Sequence, residues 1–314
     1  MTTTRLRGYA VAIAGVLALT ACSYDATTVT KADRPQATES SSSATSSSCT
    51  TTAADLRSYD PSRAGGPAVA RIRKAGVLKI GVSADTLLLG ARNPQTNKIE
   101  GFDIDIALRI ASELGVKPQL RVINAAQRIA LLQDHSIDIV VRNMTINCAR
   151  WKDIAFSAEY YHAGQKVMLR SDLAATYQGP RSLAGVTVCA PAGTTSIDNI
   201  RKIEPKATAK TADTHTGCLV EFQQGEVDAI TGDDTVLAGL VAQDHIYAAV
   251  PKQEPLTDEP YGVGVNKDDK DLVAFINAVL QQMRSDGSWQ KSYDKWLRPS
   301  LKVDPASFQP QYGR

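Results

Sequence analysis

The sequence predicts an α/β protein of two lobes, each a mostly parallel sheet flanked by helices. Short apolar runs alternate with amphipathic stretches, and the alternation recurs ninety residues further on. The chain has 314 residues, 43% of them hydrophobic, enough for one large or two medium domains.

The first strand is Val77-Leu78-Lys79-Ile80-Gly81-Val82, an apolar run preceded by Gly76. Gly101-Phe102-Asp103 opens a stretch with Ile104, Ala107, Leu108, Ala111 and Leu114 at helical spacing; Asp103 is the expected N-cap, and Gly115 ends the helix. Residues 120–123 alternate as a strand, 125–132 have helical spacing, and 137–141 form a strand again. The second copy aligns residues 132–140 with 222–230, each a helix end, a turn and a buried strand. Before it lie Val186-Thr187-Val188-Cys189-Ala190 and a helix opened by Gly193-Thr194-Thr195-Ser196.

Ligand sites in such lobes lie at the carboxyl ends of the strands. There, one strand runs out into Arg142, Asn143, Met144 and Thr145, with Arg150 beyond them. The other runs out into Thr231, Gly232, Asp233 and Asp234, while Gly193, Thr194 and Thr195 offer backbone N–H groups at a helix start. A guanidinium and a helix N-terminus suit a carboxylate, and a carboxylate opposite suits an ammonium. That pairing points to a zwitterion and so to an α-amino acid. The alternative leaves Arg142, Arg150 and Asp233 as solvated charges or internal salt bridges.

Upstream, Arg5 and Arg7 precede an uncharged run over residues 8–19. A bilayer span needs about twenty apolar residues, so residues 1–21 are expected to be a secretory signal. The run ends Leu19-Thr20-Ala21-Cys22, which resembles the lipobox of bacterial lipoproteins. The resemblance implies cleavage before Cys22 and acylation of its thiol with diacylglycerol, palmitate among the chains; several such chains hold a protein on a membrane. A plain secretory signal with a chance cysteine is the alternative. The chain carries 35 Lys+Arg and 33 Asp+Glu; losing Arg5 and Arg7 leaves 33 of each sign, so no polyanionic partner and no nucleic acid is expected. Residues 22–68, rich in Ser and Thr up to Thr52, read as a flexible tether, with the fold beginning near residue 69.

Over residues 76–297 the chain resembles the family 3 extracytoplasmic solute-binding proteins, the amino-acid-binding components of ABC importers. The motifs are Lys79-Ile80-Gly81-Val82, Gly101-Phe102-Asp103-Ile104-Asp105, Met144-Thr145-Ile146 with Arg150, Phe156-Ser157-Ala158-Glu159-Tyr160-Tyr161, Gly193-Thr194-Thr195-Ser196, Val227-Asp228-Ala229-Ile230 with Asp233, Tyr261-Gly262-Val263-Gly264-Val265, and Asp286-Gly287 before Trp296. Asn147-Cys148-Ala149-Arg150-Trp151-Lys152 and Asp233-Asp234-Thr235 look closer to the actinobacterial glutamate/glutamine-binding lipoproteins. The resemblance implies a type II periplasmic-binding-protein clamp, with lobe 1 at 69–159 plus 263–300 and lobe 2 at 165–258. The hinge crossings would be 160–164 and 259–262, with a tail over 301–314. Closure about the crossings would bury the ligand.

Carried over by position, Arg150 is similar to the arginine that clamps the α-carboxylate, with Thr145, Thr195 and the Gly193-Thr194 backbone completing the clamp. Asp233 matches the acid that accepts the α-ammonium, and Asp85 a second polar contact; Asn143 and Met144 complete the expected site. The usual Pro-Pro-Phe-type segment is here Leu87-Leu88-Leu89-Gly90, so apolar cover remains without stacking. Arg142 is expected to set side-chain selectivity, favouring Glu or Asp over Gln, Asn or basic amino acids; a buried pair with Asp138 or Glu159 is the alternative, and Arg128 is a second candidate.

With Cys22 lipidated, four cysteines remain outside the cytosol, where disulfides are expected. Three pairings are possible; Cys189 and Cys218 share a lobe, which makes Cys189–Cys218 the local choice and leaves Cys49–Cys148. No cofactor and no metal are expected, since His135, His162, His215 and His245 are isolated and read as surface residues, and no closely spaced cysteine pairs occur. Ser288-Trp289-Gln290-Lys291 fits Ser-x-x-Lys without its companion motifs. The protein is expected to be a monomeric binding protein, not an enzyme, on the outer face of the cytoplasmic membrane with an ABC permease as partner. The rivals are a sensor that docks on a signalling membrane protein and a dehydratase using Asp85, Asp233 or Glu159, for which no His or paired carboxylate is evident in the sequence.

Overall fold

The computed structural model describes residues 49–314; the signal, Cys22 and the tether before Cys49 lie outside the described residues. After a 3₁₀ turn at Ala53–Leu56 come α1 (Pro67–Ala75), β1 (Val77–Val82), β2 (Asp85–Thr86), β3 (Gly90–Arg92), β4 (Ile99–Glu100), α2 (Phe102–Leu114), β5 (Lys117–Val122), α3 (Arg128–Gln133), β6 (Ile139–Val140), α4 (Cys148–Trp151) and β7 (Ile154–Phe156). The chain continues through β8 (Tyr161–Arg170), α5 (Ser171–Thr176), β9 (Thr187–Pro191), α6 (Thr195–Ile203), β10 (Thr208–Ala212), α7 (His215–Gln224), β11 (Ala229–Asp233), α8 (Asp234–Gln243), β12 (Ala248–Ala249) and β13 (Asp258–Tyr261). It returns as β14 (Gly264–Asn266), α9 (Lys270–Ser285), α10 (Ser288–Trp296) and α11 (Arg298–Leu301).

Two sheets carry the lobes, ordered β5-β1-β6-β14-β7 and β10-β9-β11-β8-β12. In each, three parallel strands form the heart, with the first in sequence central, and antiparallel strands close one side. The recurring sequence pattern is this shared β-α-β-α-β plan. β2, β3 and β4 form a small antiparallel sheet beside the first lobe. The two passages between lobes run side by side, with Asp258 to Tyr261 of β13 paired against Gly164 to Tyr161 of β8. Among the described residues no helix is long and apolar enough to cross a membrane.

Helix α2 buries Phe102, Ile106, Ala107, Ile110, Ala111 and Leu114 and ends at Gly115 in the left-handed region, while Leu108 is exposed. Its N-cap is Gly101, not Asp103 as the sequence suggested. Asp103 instead lies on the buried face, three to four residues before Ile106 and Ala107. Gly101 has φ +146, and a Cβ there would fall 2.3 Å from the Leu89 carbonyl oxygen. We expect Gly101→Ala to cost about 2–3 kcal/mol and lower Tm by roughly 5–10 °C. An unchanged melting curve would show that the Leu89 backbone yields freely.

The expected tether is shorter than the sequence suggested, because residues 49–66 pack on the first lobe. Ser58 is fully buried, donates from Oγ to the Phe156 carbonyl at 2.7 Å and accepts from Asn277 at 2.9 Å. Trp151 Nε1 donates to the Asp55 carbonyl at 2.6 Å, and Tyr59 packs on the lobe's core. The expected tail is also held. The Ser58 amide donates to the Gln311 carbonyl (2.9 Å), the Arg314 amide to the Ser58 carbonyl (3.0 Å), and the Arg314 guanidinium lies 3.8 Å from the Trp151 ring centroid. A few apolar anchors, Leu56, Tyr59 and Phe308, order segments whose polar composition suggests none. Disulfides join Cys49 to Cys148 and Cys189 to Cys218.

Candidate functional site

The exit of β6 is built around a buried carboxylate. Asp103, 2% exposed, accepts the Asn143 amide at 2.8 Å and the Tyr160 hydroxyl at 2.9 Å. Asn143 takes φ +33, so the chain turns sharply there. Burial lifts the Asp103 pKa to about 6 against the pull of those two donors and of Arg142.

Arg142 is 5% exposed, and neither sequence-suggested partner meets it. Asp138 accepts the Lys79 amide (2.8 Å) and lies 3.9 Å from Arg71, while Glu159 bonds His162 Nδ1 at 2.8 Å. The carboxylates acting on Arg142 are Asp85 and Asp103, and burial draws its pKa down. Its Nε has no hydrogen-bond partner among the described residues. Arg128 is almost wholly buried and donates to four carbonyls: Ala125 (2.9 Å), Arg142 (3.2 Å), Asn143 (3.3 Å) and, across in the second lobe, Gly193 (3.1 Å).

Arg150 sits on α4, whose N-cap Asn147 accepts the Arg150 amide at 2.9 Å. Its guanidinium donates to the Thr145 carbonyl at 2.7 Å and to the Gly193 carbonyl at 3.3 Å. Two first-lobe arginines therefore hold one second-lobe carbonyl. Gly193 has φ +74, and a Cβ there would fall 2.8 Å from Ala126 Cα, so only glycine lets the lobes approach this closely. Thr194 caps α6, accepting the Ile197 amide and donating to the Pro191 carbonyl. The Met144 side chain is buried in the apolar core beside Phe156, leaving only its backbone for the site.

The hydroxyls of Thr145 and Thr195, expected to complete a carboxylate clamp, are already committed. Both donate to Oε2 of Glu259, at 2.6 and 2.7 Å. Glu259 is 1% exposed and lies on β13, two residues before Tyr261 and so on the same face. Tyr261 donates to Asp233 Oδ2 at 2.6 Å; Oδ1 of Asp233 is buried with no partner among the described residues. Burial, and then the Glu259 charge, push the Asp233 pKa up to about 8. Asp233 and Glu259 thus act on each other through charge, while each is bonded by other groups, Tyr261 for the first and the two threonines for the second. Asp85 accepts Ser83 Oγ at 2.8 Å, and its carbonyl accepts Thr216 Oγ1 of α7 at 2.9 Å, a further bond between lobes.

His215, expected on the surface, is buried at the start of α7 beside Thr231; burial and then the Arg142 charge press its pKa down to about 4. A cleft of about 560 Å³ adjoins Thr145, Thr195 and Glu259, walled by Cys49, Thr51, Thr52, Ala53 and Leu56 on one side and by Asp198, Asn199 and Lys202 on the other; Arg142, Arg150 and Asp233 do not line it. Among the described residues no cluster of three His, Cys, Asp or Glu side chains suits a metal ion. Sequence reasoning missed Asp103, Glu259 and Tyr261. Asp103 lies in phase with the buried face of its helix, a usable signal, whereas Glu259 is revealed only by the partners that the fold brings to it.

The arrangement sets buried arginines in one lobe and a buried acid in the other. The glutamine-binding protein GlnH of a Bacillus subtilis (strain 168) ABC transporter is 36% identical over 242 residues, covering 76% of this chain and 86% of that protein. The glutamate-binding protein GluB of Corynebacterium glutamicum is 30% identical over 227 residues, covering 69% and 77%. The solved structure of AncCDT-1, an ancestral amino acid-binding protein and precursor of cyclohexadienyl dehydratase, is similar with a TM-score of 0.68 at 32% identity over 73% of this chain and 99% of that one. With residues 78–299 matching the family as a whole, the chain belongs to the bacterial extracellular solute-binding proteins, family 3.

Proposed function

We propose that the protein binds an acidic α-amino acid or its amide, glutamate or aspartate ahead of glutamine or asparagine, and delivers it to an ABC importer. The observation that carries this reading is the opposition of buried groups: Asp233 in one lobe, and Arg150 and Arg142 in the other, with Asp233 Oδ1 and Arg142 Nε both without a partner among the described residues. Asp233 would take the ammonium, Arg150 with the backbone N–H groups at the start of α6 the α-carboxylate, and Arg142 the side-chain carboxylate. The bonds from Arg128 and Arg150 to Gly193, and from Thr216 to Asp85, support a clamp that closes about the β8–β13 ladder. GlnH and GluB, named for binding glutamine and glutamate, support the ligand class, and the ABC transporter in the name of GlnH supports delivery over signalling. Lipid on Cys22 would keep the protein at the outer face of the membrane.

A thermal-shift screen against the twenty amino acids tests the reading. L-Glutamate or L-aspartate should raise Tm most, the amides less, as expected when a ligand binds only the folded state. Arginine or lysine as the best ligand would overturn the assignment of Arg142.

A further inference from the structure

We propose that Glu259 is a positioning residue that sets what the amino-acid site can recognise, by fixing the Thr145 and Thr195 hydroxyls as acceptors. The inference rests on the amino-acid-binding reading and adds a residue and a polarity to it. A hydroxyl has one proton to give. At 2.6 and 2.7 Å from the same carboxylate oxygen, both hydroxyls give that proton to Glu259. The two hydroxyl oxygens lie 3.3 Å apart, and with both protons given to Glu259 only their lone pairs are left for a ligand. A ligand carboxylate is repelled there, and an N–H donor is accepted.

The carboxylate has no freedom to turn away. Its other oxygen, Oε1, accepts Thr257 Oγ1 at 2.7 Å and Asn199 Nδ2 at 3.1 Å. Asn199 Nδ2 also donates to the Oε1 of Gln165, which is fully buried on β8 and donates through Nε2 to Thr231 Oγ1 and the Ser196 carbonyl. The network thus runs from one interlobe strand to the other, and each member is held from both sides. Its ends are functionally placed. Thr145 belongs to the first-lobe loop that carries Arg150, Thr195 opens α6 in the second lobe, and Glu259 stands on the strand between them. Glu259 therefore bonds both ligand loops at once only when the lobes are together, which ties hydroxyl direction to closure.

The test compares ligands with and without an ammonium group. Calorimetry would measure Kd for L-glutamate and glutarate, or for L-glutamine and glutaramate, on the wild type and on Glu259→Gln, with thermal unfolding as the check on folding. Asn199 Nδ2 and Thr257 Oγ1 donate on the Oε1 side, so the amide keeps its oxygen there and presents its NH2 to both hydroxyls, which become acceptors from it and turn their own protons away. The amino acid should lose about tenfold or more while the desamino analogue loses little or gains, which narrows their ratio by about tenfold. If Glu259→Gln fails to fold, Thr145→Val and Thr145→Ser carry the test: removing the acceptor should narrow the ratio, and keeping a hydroxyl should preserve it. A role confined to structure would shift both ligands together, and an unchanged ratio in these variants overturns the inference alone. A wild-type chain that binds neither L-glutamate nor L-glutamine overturns the amino-acid reading, and this inference with it.

Discussion

Asp233→Asn is expected to abolish amino-acid binding in calorimetry, a loss of about 100-fold or more, and Arg150→Ala to do the same. The asparagine keeps the volume of Asp233 and can keep the 2.6 Å bond from Tyr261, so the fold should survive while the charge is lost. Arg150→Ala removes the buried guanidinium that bonds Thr145 and Gly193 across the lobes, along with the charge for the α-carboxylate. Retained affinity in both variants would sink the site assignment. Asp233 also has a pH signature. Burial and the Glu259 carboxylate, with Asp234 adding, hold its proton to about pH 8 against Tyr261 and Arg128. Between about pH 4 and 8 the native chain thus keeps a proton that the unfolded chain has released, and stability contributed through this group falls as pH rises. A ligand ammonium beside Oδ1 reverses that penalty. The Tm gained on adding ligand should therefore be larger at pH 8 than at pH 5, and binding near neutrality should release a proton. Asp233→Asn should remove both effects; a ligand-induced shift that shrinks with rising pH would count against the pairing of Asp233 with an ammonium.

Much of the architecture was legible because its signals are local. Gly76 and Gly115 mark the start of β1 and the end of α2, both in the left-handed region that a helix end favours. The strand exits could be found because charged residues follow directly on apolar strands, as Arg142 follows β6 and Asp233 ends β11. What could not be read depends on contacts distant in sequence. Arg142 lies within a few residues of Asp138 in the chain, yet Asp138 serves the Lys79 amide on a neighbouring strand. Glu259 has an unremarkable place in the sequence, and its meaning comes from Thr145 and Thr195, which are 114 and 64 residues away. Composition misled most between residues 49 and 66. Averaging over Ser and Thr hides the few side chains, such as Leu56 and Tyr59, that dock the segment. His215 looked solitary for the same reason: its burial follows from where α7 meets β11, not from its neighbours in the chain.

Arg142→Gln should change which ligand the protein prefers rather than whether it binds. The wild-type guanidinium is 5% exposed, its Nε has no partner among the described residues, and no carboxylate among them lies within ion-pair distance. A buried charge so poorly compensated is costly unless a ligand brings the opposite charge. A γ-carboxylate would do so, whereas an amide could supply only a carbonyl oxygen. Glutamine at position 142 keeps length and a hydrogen-bonding head but removes the charge. L-Glutamate affinity should then fall by about 10–100-fold, while L-glutamine affinity changes by less than about threefold. The variant should also be no less stable than the wild type. Arg128 is held down by burial first and then by the Arg150 and Arg142 charges, so removing the Arg142 charge relieves one repulsion between buried guanidiniums. An equal loss for both amino acids, or a lowered Tm, would mean that Arg142 supports the β6 exit through Asp85 and Asp103 and does not read the ligand side chain. Selectivity would then have to arise from the Leu87-Leu88-Leu89 segment, where Leu87 meets Gly239 of the opposite lobe so closely that a Cβ at Gly239 would lie 2.6 Å from the Leu87 carbonyl oxygen.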